Sequence, residues 1–335
     1  PWQCLLLPNF VYYAFQPMSP PAPTIIPITH YQIRMRALED GFISGFMGHT
    51  LHGALGHSIR RALCNDYRPG NQTECSTCNC LYQPWYNPAQ SPDPMVAKRY
   101  KDPPRPYFIG CNFDWEKRRV SYDDVLEWTL HVAGNSPGDM NQIVEIVEAL
   151  CANGLGSGEL KWELDIVLAH ETTLLLDWGY TDNNFQHITI DFKTPFWTND
   201  KQMQESGTIT FDMLLRYAIE RIRAMALYYG NAVLPQEEFI QETLDLAQGA
   251  GIVEQRLRKW SIDRDRGYPL KGWTGRIRYD RVPNTAINVL NAAQHLHLGR
   301  NTTFGCGMIE IQPFFKKDDN TVRRRKPRKL PPVDE

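Results

Sequence analysis

The sequence predicts an α+β protein of two tandem ferredoxin-like domains, and three observations predict it. Short segments alternate apolar and polar residues, the period of a half-buried strand, and they are interleaved with longer segments of helical period. The order strand, helix, strand, strand, helix, strand occurs in the first half of the chain and again in the second. In both halves the turn between last helix and last strand is rich in glycine, "NGLGSGE" in one and "LGRNTTFGCGM" in the other.

In the first half, "ITHYQIRMRAL" reads as a strand, and "FMGHTLHGALGHSIRRAL" places Leu51, Leu55, Ile59 and Ala62 at helical spacing. After a cysteine-rich loop come the strands "PYFIGC" and "DVLEWTLHVAG", the helix "GDMNQIVEIVEALCANG" with Gly154 in stop position, and the strand "GELKWELDIVLAH". The second half runs from the strand "HITIDFKTPFW" through the helix "TFDMLLRYAIERIRAMALYYG" to the strands "VEQRLRKWSIDRD" and "GWTGRIRYDRV". The helix "NTAINVLNAAQHLHLG" and the strand "GMIEIQPFF" complete it, and an extra helix, "QEEFIQETLDLAQ", falls after its first helix. The organisation expected is an N-terminal extension (1–28), a first domain (29–172) with a cysteine-rich insertion (64–105), a second domain (173–315) and a basic tail (316–335).

At 335 residues and 42% hydrophobic composition the chain can bury a sizeable core. Its formal charge of −2 hides an uneven distribution: nine Lys and Arg against three Asp from Arg256 to Arg281, and eight against four acids from Lys316 onward. Basic stretches on an otherwise acidic chain point to a localised polyanion contact, with a solvated edge strand and tail as the plainer alternative. No run approaches the roughly twenty apolar residues of a membrane span, so the chain reads as soluble. It opens without Met, and the proline-rich residues 1–28 read as the end of something longer. Of eight cysteines, Cys64, Cys75, Cys78 and Cys80 fall in "CNDYRPGNQTECSTCNC". Such a cluster can supply the four thiolates of a structural zinc, and without a visible secretory signal disulfides are the weaker reading.

The second glycine-rich turn, at Gly299, Gly305 and Gly307, is no Walker A loop, because Cys306 follows where Lys and then Ser or Thr would be required. It is no dinucleotide fingerprint either, since it follows a helix and opens a strand. The patterns "GHTLHGALGHSIRRALC", "CNCLY", "TIDFKTPFW" and above all "HLGRNTTFGCGMIEI" resemble the CRISPR-associated endoribonucleases that process precursor CRISPR RNA, members of the RAMP superfamily. The resemblance covers about Ile28 to Phe315. It implies that the turn, with Arg300, Asn301, Thr302 and Thr303, shapes and positions RNA backbone and supports the packing of the two domains. Glycines leave N–H groups unshielded and permit left-handed backbone, which suits phosphate oxygens; a helix cap and relief of crowding is the structural alternative. The neighbouring basic strands carry Arg276 and Arg278 on one face, with Lys271 nearby, to grip phosphates. Trp260 and Trp273 read as core.

The implied reaction is cleavage within CRISPR repeats by the RNA's own 2'-OH, leaving a 2',3'-cyclic phosphate and a 5'-OH, with no cofactor for catalysis. Histidine suits the proton transfers because its pKa lies near 6.5. The first helix holds His49, His52 and His57 among three glycines, an odd surface for mere exposure. The resemblance ranks His57 first, from a histidine in "LGH" followed by basic residues, then His52, where relatives more usually have arginine, then His49. It gives Tyr31 the task of orienting the 2'-OH. Relatives also use a lysine, absent from this first strand and helix, so Arg60, Arg61 or Lys271 becomes the charge-stabilising candidate. His170 in "HETTL" lacks the second histidine of a zincin. His295 and His297 read as helix-dipole partners, and Asp263 and Asp265 as salt-bridged to neighbouring arginines rather than metal-binding. The partners implied are repeat RNA and its product, other CRISPR effector or adaptation proteins, and no membrane, in the cytoplasm of a prokaryote, with a homodimer open. Two other readings stand beside the enzyme: a non-catalytic RNA-binding RAMP subunit, and the processing domain of a larger CRISPR fusion protein.

Overall fold

The computed structural model describes residues 22–64, 80–135, 138–156, 158–178, 184–262 and 269–313. The first half opens with β1 (Thr24–Ala37), whose period-2 pattern buries Tyr31, Ile33, Met35 and Ala37 on one face and leaves Gln32 exposed on the other. A short β2 (Gly41–Ile43) leads to α1 (Gly48–Leu63), where Leu51, Leu55 and Ile59 form the fully buried stripe expected from their spacing. Two short helices, α2 (Tyr82–Tyr86) and α3 (Pro94–Arg99), lie in the segment read as an insertion. Then come β3 (Tyr107–Cys111), β4 (Arg118–Val120), β5 (Val125–Ala133), α4 (Met140–Asn153) and β6 (Trp162–Leu176). The Asp139 carboxylate and the Gln142 side chain exchange bonds with each other's backbone as a capping box, and Gly154 ends α4 at φ 84°.

The second half runs through β7 (Phe185–Phe196), α5 (Lys201–Ser206), α6 (Phe211–Tyr229), α7 (Glu237–Ala247), β8 (Gly251–Ile262), β9 (Leu270–Pro283), α8 (Asn284–Ala293) and β10 (Ile309–Pro313). The two main sheets are antiparallel, in the orders β3-β5-β1-β6 and β10-β7-β9-β8. Each sets its unit's first strand between the third and fourth, as the ferredoxin-like order requires.

Two boundaries lie elsewhere than the sequence suggested. Residues 24–28, assigned to the extension because of their prolines, begin β1, and β6 continues past residue 172 to Leu176. The physical reason is burial across the halves. Ile26, Ile28, Phe108, Leu174 and Leu176 belong to the apolar cluster of the second half, around Phe211, Leu214, Ile222 and Leu290. In return, Trp260 and Leu270 from β8 and β9 enter the cluster of the first half, with Leu55, Trp128 and Leu150. Trp260 meets Phe46 edge-on at 5.3 Å and Phe113 at 5.7 Å between ring centroids, so it is core, as expected.

Because each core contains strands of the other half, urea unfolding should be one cooperative transition followed identically by fluorescence and circular dichroism. Trp260→Ala should keep the single transition and lower stability by about 3–5 kcal/mol, read from its midpoint.

Candidate functional site

The glycine-rich turn is a packing device before it is anything else. Gly299, Gly305 and Gly307 have φ of 80°, 79° and 78°, the left-handed region that other residues rarely adopt. A Cβ on Gly307 would overlap the Leu298 carbonyl, and one on Gly305 would come within 2.9 Å of the Ile109 carbonyl of β3. A Cβ on Gly48, which opens α1, would overlap the Phe304 carbonyl. The turn is therefore wedged between α1 and β3. Thr302 and Thr303, expected to offer hydroxyls to RNA, are instead 7% and 9% exposed in this wedge, and Gly305 and Gly307 are buried. Gly299, Arg300 and Asn301 reach solvent, as Phe304 does in part, and Arg300 is hydrogen-bonded to Asn199.

The wedge places Phe304 against the histidine helix. The His52 ring lies 4.0 Å from the Phe304 ring, centroid to centroid, and its Nδ1 is 2.9 Å from the Tyr107 hydroxyl. The Tyr86 hydroxyl donates to the His52 carbonyl at 2.6 Å, and Gly56 is flat against the Tyr86 ring. Arg105 Nε donates to the Tyr86 carbonyl at 3.1 Å, and the Arg60 guanidinium sits 4.0 Å above the Tyr82 ring. His52 is thus half-buried in an aromatic wall with cations around it, and His49 is half-buried one turn earlier.

His57, ranked first from the sequence, lies exposed on the outer side of α1 with Gly53 and Arg61, and Arg61 bonds Asn153. Tyr31 must be withdrawn from the catalytic set. Its side chain is 2% exposed on the core face of β1 and its hydroxyl donates to the Gly138 carbonyl at 2.8 Å, so it cannot meet a substrate. The sequence missed Tyr86, Tyr107 and Arg105 because they come from the cysteine-rich insertion and the strand behind α1, with no motif linking them to His52.

A second cleft, of about 600 Å³, opens between the Phe113–Trp115 segment and the outer face of the second sheet. Alternation holds on β9: Ile277 and Tyr279 are fully buried while Arg276 and Arg278 face out. Both arginines are ion-paired. Arg276 makes a two-pronged contact with Asp191 at 2.6 and 3.0 Å, and Arg278 meets Glu254 at 2.7 Å. Arg258 lies 3.8 Å over the Trp115 ring, Arg256 is 80% exposed while paired with Glu254, and Lys271 is stacked over Trp197 at 4.5 Å. Trp115, which no sequence motif marks, brings an aromatic surface to these cations.

Of the four cysteines, Cys64 and Cys80 contact each other, and Cys75 and Cys78 lie outside the described residues, as do Asp263, Asp265 and the basic tail. No group of three or more metal-ligating side chains occurs among the described residues. No described helix is long and apolar enough to cross a membrane.

A family model for the CRISPR-associated endoribonuclease Cas6 matches residues 190–309. Residues 190–309 resemble a Cas6 endoribonuclease domain. A second family model, described only as an N-terminal domain, matches residues 26–181. Among solved structures, a Cas6 product complex is similar in fold, with TM-score 0.50 and 13% identity over 87% of this chain and 100% of that one. A Thermus thermophilus Cas6 follows with TM-score 0.47 and 12% identity over 88% and 100%. A partial Cas6-RT-Cas1–Cas2 complex has TM-score 0.49 and 13% identity over 88% of this chain and 47% of that one. A search of the curated proteins finds no match. The Cas6 match starts in β7 and ends with Ile309. It takes in the glycine-rich turn but not α1.

Five of the nine histidines meet elsewhere, at the seam between the two halves. His30 Nδ1 is 2.6 Å from His131 Nδ1, its ring stacks on His170 at 4.7 Å, and His131 lies 5.8 Å from His297. His295 completes the group electrostatically. His297 is not the helix-dipole partner that its place in the sequence suggested: it is 3% exposed, 5.0 Å from Phe108, after the helix has ended. Burial, with His170 and His295 adding, lowers the His30 pKa to about 4; burial and then Arg221 lower His297 to about 3. Below the unfolded-state value of about 6.5 the unfolded chain takes up protons that the folded seam refuses. Stability should therefore be full above that pH and fall progressively toward pH 4. Calorimetry between pH 7.5 and 4.5 should show that fall, and His30→Asn should flatten it.

Proposed function

We propose that the protein is a precursor CRISPR RNA endoribonuclease that cuts within repeats by attack of the substrate's 2'-OH, without a metal ion, leaving a 2',3'-cyclic phosphate and a 5'-OH. The observation that carries this reading is His52, half-buried where α1 meets the glycine-rich turn, its ring fixed by Tyr107 and Phe304. Attack requires removal of the 2'-OH proton and protonation of the departing 5'-oxygen, and an imidazole held in one orientation can do either. His52 is the proposed catalytic group, with His49 on the same side of the helix second and the exposed His57 third. Arg60 and Arg105 supply positive charge near this helix, the part that lysine plays in relatives; Arg61 and Lys271 are already engaged with Asn153 and Trp197.

RNA is proposed to continue from Gly299, Arg300 and Asn301 into the cleft at Trp115, where an indole can stack on an unpaired base and Arg256 and Arg258 meet phosphates. Arg276 and Arg278 join only by exchanging Asp191 and Glu254 for phosphate. Repeat RNA and its product are the proposed partners, with other CRISPR proteins beside them. The contact between Cys64 and Cys80 supports a structural zinc on the four-cysteine loop with Cys75 and Cys78. One zinc per chain by elemental analysis, lost in Cys64→Ser with Cys80→Ser, is expected.

The test of the enzyme is a single-turnover cleavage assay on repeat RNA in EDTA. Cutting should persist in EDTA, stop on a substrate with 2'-deoxyribose at the cut site, and slow by about 10²–10⁴-fold in His52→Ala with binding intact, while His57→Ala stays near wild type. Trp115→Ala and Arg256→Ala should weaken binding without slowing the bound complex. Tight binding by the wild type with no cut would make this an RNA-holding subunit instead.

A further inference from the structure

We propose that the groove between α8 and β6 reads an unpaired base of the RNA by its edge, through the side-chain amides of Asn288 and Asn291. The proposal rests on the endoribonuclease reading for the identity of its ligand, and it puts sequence recognition on the face of the first sheet that is turned away from α1.

Alternation along β1 separates the two places. Tyr31 and Ile33 turn toward α1 and pack with Leu51 and Leu55, whereas Ile28 and His30 turn to the other face. There α8 packs beside β6 and leaves a groove of about 750 Å³, within the usual range for a small-ligand site.

The register of the sheet sets one wall. Ile28 pairs with Thr172 and His30 with His170, so the two residues of β6 stand beside those of β1 on the same face. The His170 ring is stacked on His30 at 4.7 Å, and His30 Nε2 lies 2.6 Å from the Thr172 hydroxyl. His30 is 8% exposed while His170 is exposed, so a buried imidazole holds a solvent-facing one in place. The other wall is α8. Asn288 and Asn291 lie on one face of it, followed at the same helical interval by His295 in the short 3-10 turn Gln294–Leu296. Asparagine is a poor helix former because its amide competes with the backbone for hydrogen bonds. Neither of these two amides has a hydrogen-bond partner among the described residues, so both are available to a ligand. Ile28, Leu174, Leu176 and Ala292 make the floor apolar.

These walls suit a base better than a phosphate. A carboxamide sets a donor and an acceptor side by side, the pattern that a base presents along its edge. Imidazole is a stacking surface for bases freed from pairing. No lysine or arginine is among the described residues that line the groove, whereas Asp177 is, so a phosphate gains nothing by entering. RNA can arrive from the cleft at Trp115. Phe113 lines that cleft and also the next one on the sheet, from which Arg34 and Asn112 lead on to a third that includes His131. His131 Nδ1 is 2.6 Å from His30 Nδ1, so the third adjoins the groove at α8.

The probe is fluorescent repeat RNA with 2'-deoxyribose at the cut site and each unpaired nucleotide made abasic in turn, read by anisotropy. With the wild-type protein, loss of the base at one or two positions should weaken binding about tenfold, the worth of one stacked base. With Asn288→Ala and Asn291→Ala combined, the intact RNA should bind about tenfold more weakly and the same abasic positions should cost nothing further. Bound all-ribose RNA should be cut at the wild-type rate, and thermal unfolding should stay within a few degrees. His170→Ala should show a weaker form of the same coupling, and it decides the matter should the double variant fail to fold. If the variants bind every RNA as the wild type does, or lose affinity equally for intact and abasic RNA, the groove does not read a base. If free adenosine, cytidine, guanosine or uridine shifts the His170 and His295 imidazole signals to saturation while the abasic series shows no coupling, the groove serves a free nucleoside and the proposal fails for RNA. Should the wild-type protein bind no repeat RNA at all, the endoribonuclease reading fails and the proposal with it.

Discussion

The structure depends on one close approach, that of a left-handed glycine turn to the start of a helix in the other half of the chain. Leu298 N–H donates to the Gly307 carbonyl at 2.8 Å and closes the turn on itself, while Gly307 N–H donates to the Pro195 carbonyl at 3.0 Å and Arg300 N–H to the Trp197 carbonyl at 2.8 Å, tying it to the end of β7. Its far side rests on Ile109 and on Gly48. At these positions backbone meets backbone with no room for a methyl group. That contact brings Phe304 over His52 and shields the junction of the two halves, so the packing and the candidate chemistry share a cause.

The same junction sorts the histidines by environment. Those on α1 lie half-buried or exposed, with His52 beside Tyr107 and Phe304. Those at the seam are stacked on one another and on Phe108, beside a buried Arg221 whose own pKa is lowered to about 10 by burial. A second positive charge in such a place is costly, so His30, His131 and His297 are held neutral. One residue type thus lines the candidate site in one place and packs against apolar rings in the other.

Charge on the second sheet follows a similar rule. Arginine and carboxylate face each other across β7, β8 and β9, so Arg256, Arg276 and Arg278 of the basic run seen in the sequence are neutralised in space. What remains available to a polyanion is concentrated where arginine lies over Trp115 instead of against an acid. A count of positive residues along the chain overstates the positive surface, because sheet pairing brings distant acids such as Asp191 opposite them.

The sequence by itself determined the element order, the two-fold repeat of strands and helices, the buried stripe of α1 and the glycine turn before the last strand. These are local: period, caps and left-handed glycines are written in adjacent residues. It also singled out α1 as the helix for the candidate chemistry. Tertiary structure alone decided which histidine is held, because Tyr86, Tyr107 and Phe304 reach His52 from three separate elements with no spacing to betray them. It decided as well that Tyr31 and Thr303 are buried and that the extension begins β1, since burial is a property of what packs from the other half of the chain. Distance along the sequence carries no record of that packing, which is why the fold was legible and the site only half so.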